Sequence, residues 1–411
     1  MTPLIENKVV AALLKIMRSR RTSYLSSTLE RATVPERRKA AVKQREVQFT
    51  DFEAVAKLKE RWGLGKDSLQ NWYRLWRDNR ALTFSKSPLS MGWVLEVDGE
   101  IVGYQGSVPL LYYYCGRPLL VATGTGMVVE PAYRAFSVAL LASFYRQKNV
   151  DLLLITTPSE SVAKLAKAFG AEALPQRDYD TVLFWVLNAR HFARAVAKKF
   201  GVNGKLGGLI AVLGSSALRT QMTIFRRCPN GNSQKCRVIE LQVSEIGDDF
   251  EVLWQKKLAE KGLLLADRSS VSLRWHFTVP ASQRRTALLC CHFNGRLTGY
   301  AAVQNAVDRE TGMRQCFLAD MLVEGDDSDV IESLLRSAYE YARRSGSHIF
   351  EVLGFPANVR QIVMRWKPYY RKYPACPFFY KAKDQSLRED LLTAADHWYA
   401  SPYDGDTSLI L

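Results

Sequence analysis

A chain of 411 residues, 47% hydrophobic and 24% charged, has the composition of a folded globular protein and exceeds one ordinary core, so two domains are expected. The formal net charge of +16 is uneven, because residues 1–45 carry 11 Lys and Arg against three Glu, a local +8. No apolar run reaches the ~20 residues of a membrane-spanning helix and no cleavable leader pattern opens the chain, so a cytoplasmic protein is expected.

In the basic arm (1–45), Ile5, Val9, Leu13 and Met17 recur every four residues, which predicts an amphipathic helix. Such a helix suits peripheral attachment at the anionic inner face of a membrane, or docking on its own domain. The next elements predict a domain over 46–187. A helix around Trp72–Trp76 precedes a strand over Trp93–Val97, the turn dipeptide Asp98-Gly99 and a second strand. A strand ending at Met127–Glu130 runs into a helix over Phe136–Gln147. A strand over Asp151–Thr156, a helix over Ser161–Phe169 and an aromatic strand over Leu183–Val186 complete the set. The connector, 188–237, holds a basic helical piece, Ala189–Phe200, and a Gly-rich break.

The same order returns in 238–411, offset by about 195 residues. Asn294-Gly295 repeats Asp98-Gly99, and Met321–Glu324 repeats Met127–Glu130. Val330–Arg344 repeats the helix, and His348–Leu353, Asn358–Arg365 and Phe378–Lys381 repeat the rest. The fold class is therefore α/β, with two tandem domains, each a mixed central sheet flanked by helices.

The strand-to-helix junction carries the chemistry. Val129-Glu130-Pro131-Ala132-Tyr133-Arg134 followed by Ala135-Phe136-Ser137-Val138-Ala139 resembles the GNAT superfamily of acyl-CoA N-acyltransferases, whose junction reads V-x-P-x-Y-R and then Q/R-x-x-G-x-G/A. The resemblance implies that Val129, Arg134, Ala135, Phe136, Ser137, Val138 and Ala139 hold the diphosphate of acetyl-CoA or another acyl-CoA. Unpaired N–H groups and the positive end of a helix dipole attract such an anion. Ser137 stands where the family has its first small glycine. The second copy reads Glu324-Gly325-Asp326-Asp327-Ser328-Asp329 here, and its carboxylates would repel a diphosphate.

The resemblance further implies acyl transfer to an amine, on a small molecule, a sugar or a glycolipid intermediate, with a base to take the amine proton and an acid for the thiolate. Ala166 falls where the family's acid Tyr would stand. Glu130 is the candidate base, or a surface residue; Tyr104 is the candidate acid, or a sheet residue. Tyr145 and Tyr179 are further phenols. A Fem-type aminoacyl transferase using aminoacyl-tRNA and a non-catalytic pair of domains are the alternatives, the first suited by the basic charge. The segment Trp398–Asp406 also resembles tails of tandem GNAT-like proteins. The seven Cys form no zinc pattern and read as free thiols, and none of the five His sits in a triad, so no metal is expected.

Overall fold

The computed structural model describes residues 41–409 apart from residues 66, 200–211, 213, 221, 223–227, 230–235, 261, 279–284, 309, 373–377 and 394–396. The helix expected around Ile5–Met17 lies outside the described residues.

The first half opens with β1 (Lys43–Glu46), α1 (Phe52–Arg61) and α2 (Leu69–Trp76). Ser68 caps α2 by accepting the Asn71 N–H, and the helix buries Trp72, Leu75 and Trp76 on one face. Then come β2 (Gly92–Val97), β3 (Glu100–Tyr114), β4 (Arg117–Val129), α3 (Ser137–Arg146), β5 (Leu152–Ile155), α4 (Glu160–Ala168), β6 (Glu172–Ala173) and β7 (Thr181–Val186). A bridging helix, α5 (Ala189–Lys199), follows. The second half has β8 (Arg237–Leu241), α6 (Asp248–Ala259), β9 (Leu265–Ala266), α7 (Ser270–Phe277), β10 (Arg285–Phe293), β11 (Arg296–Val307) and β12 (Arg314–Val323). It ends with α8 (Ser328–Arg344), β13 (Ile349–Val352), α9 (Ala357–Arg365), β14 (Tyr369–Lys372), β15 (Phe379–Ala382) and α10 (Gln385–Thr393). Both expected hairpin turns have two successive positive φ angles, 50° and 82° at Asp98-Gly99 and 50° and 74° at Asn294-Gly295. That is the geometry in which Asp-Gly and Asn-Gly match the twist of antiparallel strands.

Two mixed sheets result, and each borrows a strand. The first runs β1-β2-β3-β4-β5-β15-β6, with β9 added along β3; the second runs β14-β7-β13-β12-β11-β10-β8. Thus β7, from the first half, pairs antiparallel with β13, and β15, from the second half, pairs antiparallel with β5. Residues 46–187 and 238–411 are halves of the chain, and neither contains its whole sheet. Trp185 anchors the exchanged β7 by packing against Phe350, Tyr339 and Trp366. The largest core lies between the halves, where Trp72, Tyr104 and Tyr112 meet Phe250, Trp254, Tyr300, Trp398 and Tyr403. Burying that much aromatic surface makes the halves one folding unit.

The thiols depart from expectation. Cys236 and Cys291 form a disulfide, with Cα atoms 5.9 Å apart, tying β10 to the residue before β8. The free-thiol expectation for these two residues is thus corrected. The partner of Cys236 lies on a neighbouring strand, 55 residues away in sequence.

Candidate active site

Two strands that separate define the site. β4 and β5 run parallel and pair at three positions, ending at Thr123 opposite Leu154. β4 then continues from Gly124 to Val129, while β5 stops at Ile155. On its other side this stretch of β4 stays paired with β3, but the register slips, from Gly106 opposite Thr125 to Tyr104 opposite Val128. The extra residues form a bulge at Gly126, whose φ is 61°. A methyl group at Gly126 would meet Lys59 at 3.3 Å and Tyr104 at 3.4 Å, so glycine keeps both side chains against the bulge. Lys59, on α1, is buried and paired with Asp67.

Beyond Val129 a 3-10 turn, Pro131–Phe136, leads into α3. Arg134, Ala135, Phe136 and Val138 are exposed, and Ser137 and Ala139 are half-buried. The Ser137 N–H donates to the Arg134 carbonyl, so this cradle N–H is engaged inside the turn. Small residues at 135, 137 and 139 leave the backbone approachable, and Arg134 sets a cation beside it. These residues fit an anionic diphosphate.

Glu130 and Tyr104 stand differently from each other. Glu130 forms an ion pair with Arg61 at 2.6 Å. Tyr104 is fully buried on β3, and burial, followed by the Asp67 charge, pushes its phenol well above the ordinary value, so it holds its proton. Its oxygen borders Gly106, where an added methyl would lie 2.4 Å from it and 2.8 Å from the Thr125 methyl. Tyr145 and Tyr179 are buried core residues.

The segment Trp398–Leu409 threads between the two sheets. In the second half β12 and β13 pair only up to Leu318 opposite Val352, and this segment fills the gap beyond. Tyr399 donates to the Met321 carbonyl (2.6 Å), and the Ala400 carbonyl accepts the Phe355 N–H (2.9 Å). Arg268, fully buried, bonds Asp320 at 2.9 Å and Asp404 at 3.2 Å. The segment then reaches the first half. Asp406 accepts hydrogen bonds from Thr156 (2.5 Å) and Thr157 (3.2 Å), one and two residues past β5. Beyond it Ser408 bonds His276 Nε2 at 2.8 Å, and Arg74 donates to the Leu409 carbonyl at 3.1 Å.

The acidic junction of the second half satisfies itself. Lys256 and Arg296 pair with Glu324, and Lys257 pairs with Asp326. Asp327 caps α8 by accepting the Asp329 and Val330 N–H groups. The helix end that would attract an anion is thus covered by its own carboxylate.

This architecture is the GNAT fold. The chain is similar in structure to a GCN5-related N-acetyltransferase from Anabaena variabilis (9% identity, TM-score 0.52, covering 84% of this chain and 73% of that one). It is also similar to a probable N-acyltransferase of unknown function from Enterococcus faecalis (8%, 0.51, 83% and 72%). A third similar structure is the Saccharomyces cerevisiae N-myristoyltransferase with bound myristoyl-CoA and inhibitors (11%, 0.51, 86% and 83%). No family model and no curated protein sequence matches the chain.

The candidate cradle at 134–139 is contiguous in sequence, whereas the other residues around the diverging strands are not. Lys59 carries no sequence signal, because only the fold brings α1 against the bulge. Asp406 ends the one C-terminal segment that drew notice, yet its position 250 residues from Thr156 is a product of topology. Among the described residues no group of three or more His, Cys, Asp or Glu could hold a metal ion. Among them also, no helix is long and apolar enough to cross a membrane.

Proposed function

We propose that the protein is an acyl-CoA-dependent N-acyltransferase working in the first-half cleft, with acetyl as the default acyl group. One observation carries the reading: the edge of β4 from Gly124 to Val129 has lost β5 and leads straight to the exposed turn at Arg134–Ala139. An open strand edge offers N–H and C=O groups to an extended chain bearing amides, as the pantetheine arm of coenzyme A does. The helix end then takes the diphosphate. Val129 and the residues 134–139 hold the donor in this reading, and the bulge at Gly126 receives the thioester.

The acceptor is an amine of a small molecule, a sugar or a glycolipid. Tyr104, whose ring lies against the Gly126 bulge, is the proposed source of a proton for the departing thiolate. The basic residues 1–45 are the proposed contact with an anionic membrane surface, tested by vesicle co-sedimentation with and without them.

Calorimetry with acetyl-CoA and longer acyl-CoAs tests the donor site. Binding is expected for the parent protein, and Ser137→Asp abolishes it by setting a negative charge at the diphosphate position. A parent that binds no acyl-CoA but shifts tRNA in a salt-dependent way refutes the reading in favour of an aminoacyl-tRNA donor.

A further inference from the structure

We propose that Asp406 is the base that takes the proton from the acceptor ammonium, a role that rests on the acyl-transfer reading above. Its carboxylate stands where β4 and β5 part. Thr156 and Thr157, directly after β5, donate to it, and the Asp406 N–H in turn donates to Thr156 Oγ1 at 3.2 Å. The Thr125 hydroxyl, on the open stretch of β4, faces the same carboxylate. That hydroxyl is buried and completes no hydrogen bond within ordinary limits, as is Thr123 two residues before it. Asp406 is therefore buried at the point where β4 and β5 part, beside the unsatisfied Thr125 hydroxyl.

Its environment differs from that of the other buried carboxylates nearby. Asp320 and Asp404 share the Arg268 guanidinium as their counter-charge. Asp406 has hydroxyl partners and, among the described residues, no cation. Burial holds its carboxyl above the ordinary value, with Thr156, Thr157 and Thr125 opposing. A carboxylate of that kind is a stronger base than a solvent-exposed one. Position is also enforced: Gly405 has φ 73°, and a methyl there would lie 2.3 Å from Thr156. The backbone is thereby pressed onto the end of β5.

The step balances as follows. The ammonium gives one proton to Asp406, and the freed lone pair attacks the thioester carbonyl. The C–N bond forms and the C–S bond breaks, and the thiolate leaves with the electron pair. The new amide nitrogen loses its second proton as the thiolate gains one, and Asp406 returns its own proton to solvent. The products are an amide, free coenzyme A and one proton.

The test compares parent, Asp406→Asn and Thr156→Val, each checked for acetyl-CoA binding by calorimetry. Thiol release is followed with two probe amines, ethylamine, which is charged at neutral pH, and hydroxylamine, which is not. Asp406→Asn is expected to bind acetyl-CoA like the parent, to lose about 100-fold or more with ethylamine, and to keep most of its rate with hydroxylamine. Thr156→Val removes a donor to the carboxylate, so the acid limb of its ethylamine profile should move to higher pH. The assignment is overturned if Asp406→Asn keeps its ethylamine rate, if both amines fall alike, or if a parent that binds acetyl-CoA consumes neither amine. A parent that binds no acyl-CoA sinks the acyl-transfer reading itself, a separate outcome.

Discussion

Replacing Arg268 with Met should destabilise the protein by about 3–5 kcal/mol, because it leaves two buried carboxylates without their counter-charge. Arg268 is fully buried; its Nε and Nη2 bond Asp320 at 2.9 and 3.0 Å, and Nη2 reaches Asp404 at 3.2 Å. Nη1 donates to the Ala266 carbonyl at 3.2 Å, and the guanidinium lies over Tyr403 at 4.7 Å. Burial opposes the Arg268 charge, but Asp320 and Asp404 outweigh it and keep the side chain ionised. With the cation gone, the carboxyls bind protons in the folded state at a pH where they do not in the unfolded one. The penalty should therefore shrink as pH falls. Urea unfolding at pH 8 and pH 5 measures both effects. Arg268→Met combined with Asp320→Asn and Asp404→Asn should recover most of the loss, since an uncharged site needs no counter-ion. A single variant within about 1 kcal/mol of the parent, or a triple variant no better than the single, would refute this account of the Arg268 cluster.

Two further outcomes are expected. Burial, then the charges of Arg74 and Arg268, hold His276 neutral, with its pKa well below the ordinary value of 6.5. The unfolded chain takes up a proton below about pH 6.5 that folded His276 refuses, so its stabilising contribution is whole above that pH and declines below it. Urea midpoints at pH 8, 6.5 and 5 should therefore fall less steeply on acidification in His276→Gln than in the parent; equal slopes contradict this. Denatured, unreduced protein should titrate two thiols fewer than the seven Cys in the sequence, reflecting Cys236–Cys291. A full count of seven contradicts that pairing.

Much of the fold was legible because local chemistry and the repeat agreed. Asp98-Gly99 and Asn294-Gly295 announced their hairpins, and the repeat placed a helix over Val330–Arg344, where α8 forms. The strand exchange was not legible. Leu183–Val186 and Phe378–Lys381 read as strands from their own residues, but nothing local says which sheet a hydrophobic strand joins. That choice is made by packing such as Trp185 against Phe350 and Trp366. The candidate site divides in the same way. The proposed cradle at 134–139 is contiguous, so a motif can mark it, whereas Thr125, Thr156 and Asp406 meet only after folding, and Lys59 reaches the Gly126 bulge from α1.

The central claim is that an acyl-CoA lies between the diverging ends of β4 and β5. A crystal structure with a non-hydrolysable acetyl-CoA analogue tests it most directly. The expected result has the pantetheine arm along Gly124–Val129, the diphosphate against Arg134–Ala139 and the acyl carbon at the Gly126 bulge facing Asp406. A saturating analogue found anywhere else on the protein, or a cleft left empty, would contradict it.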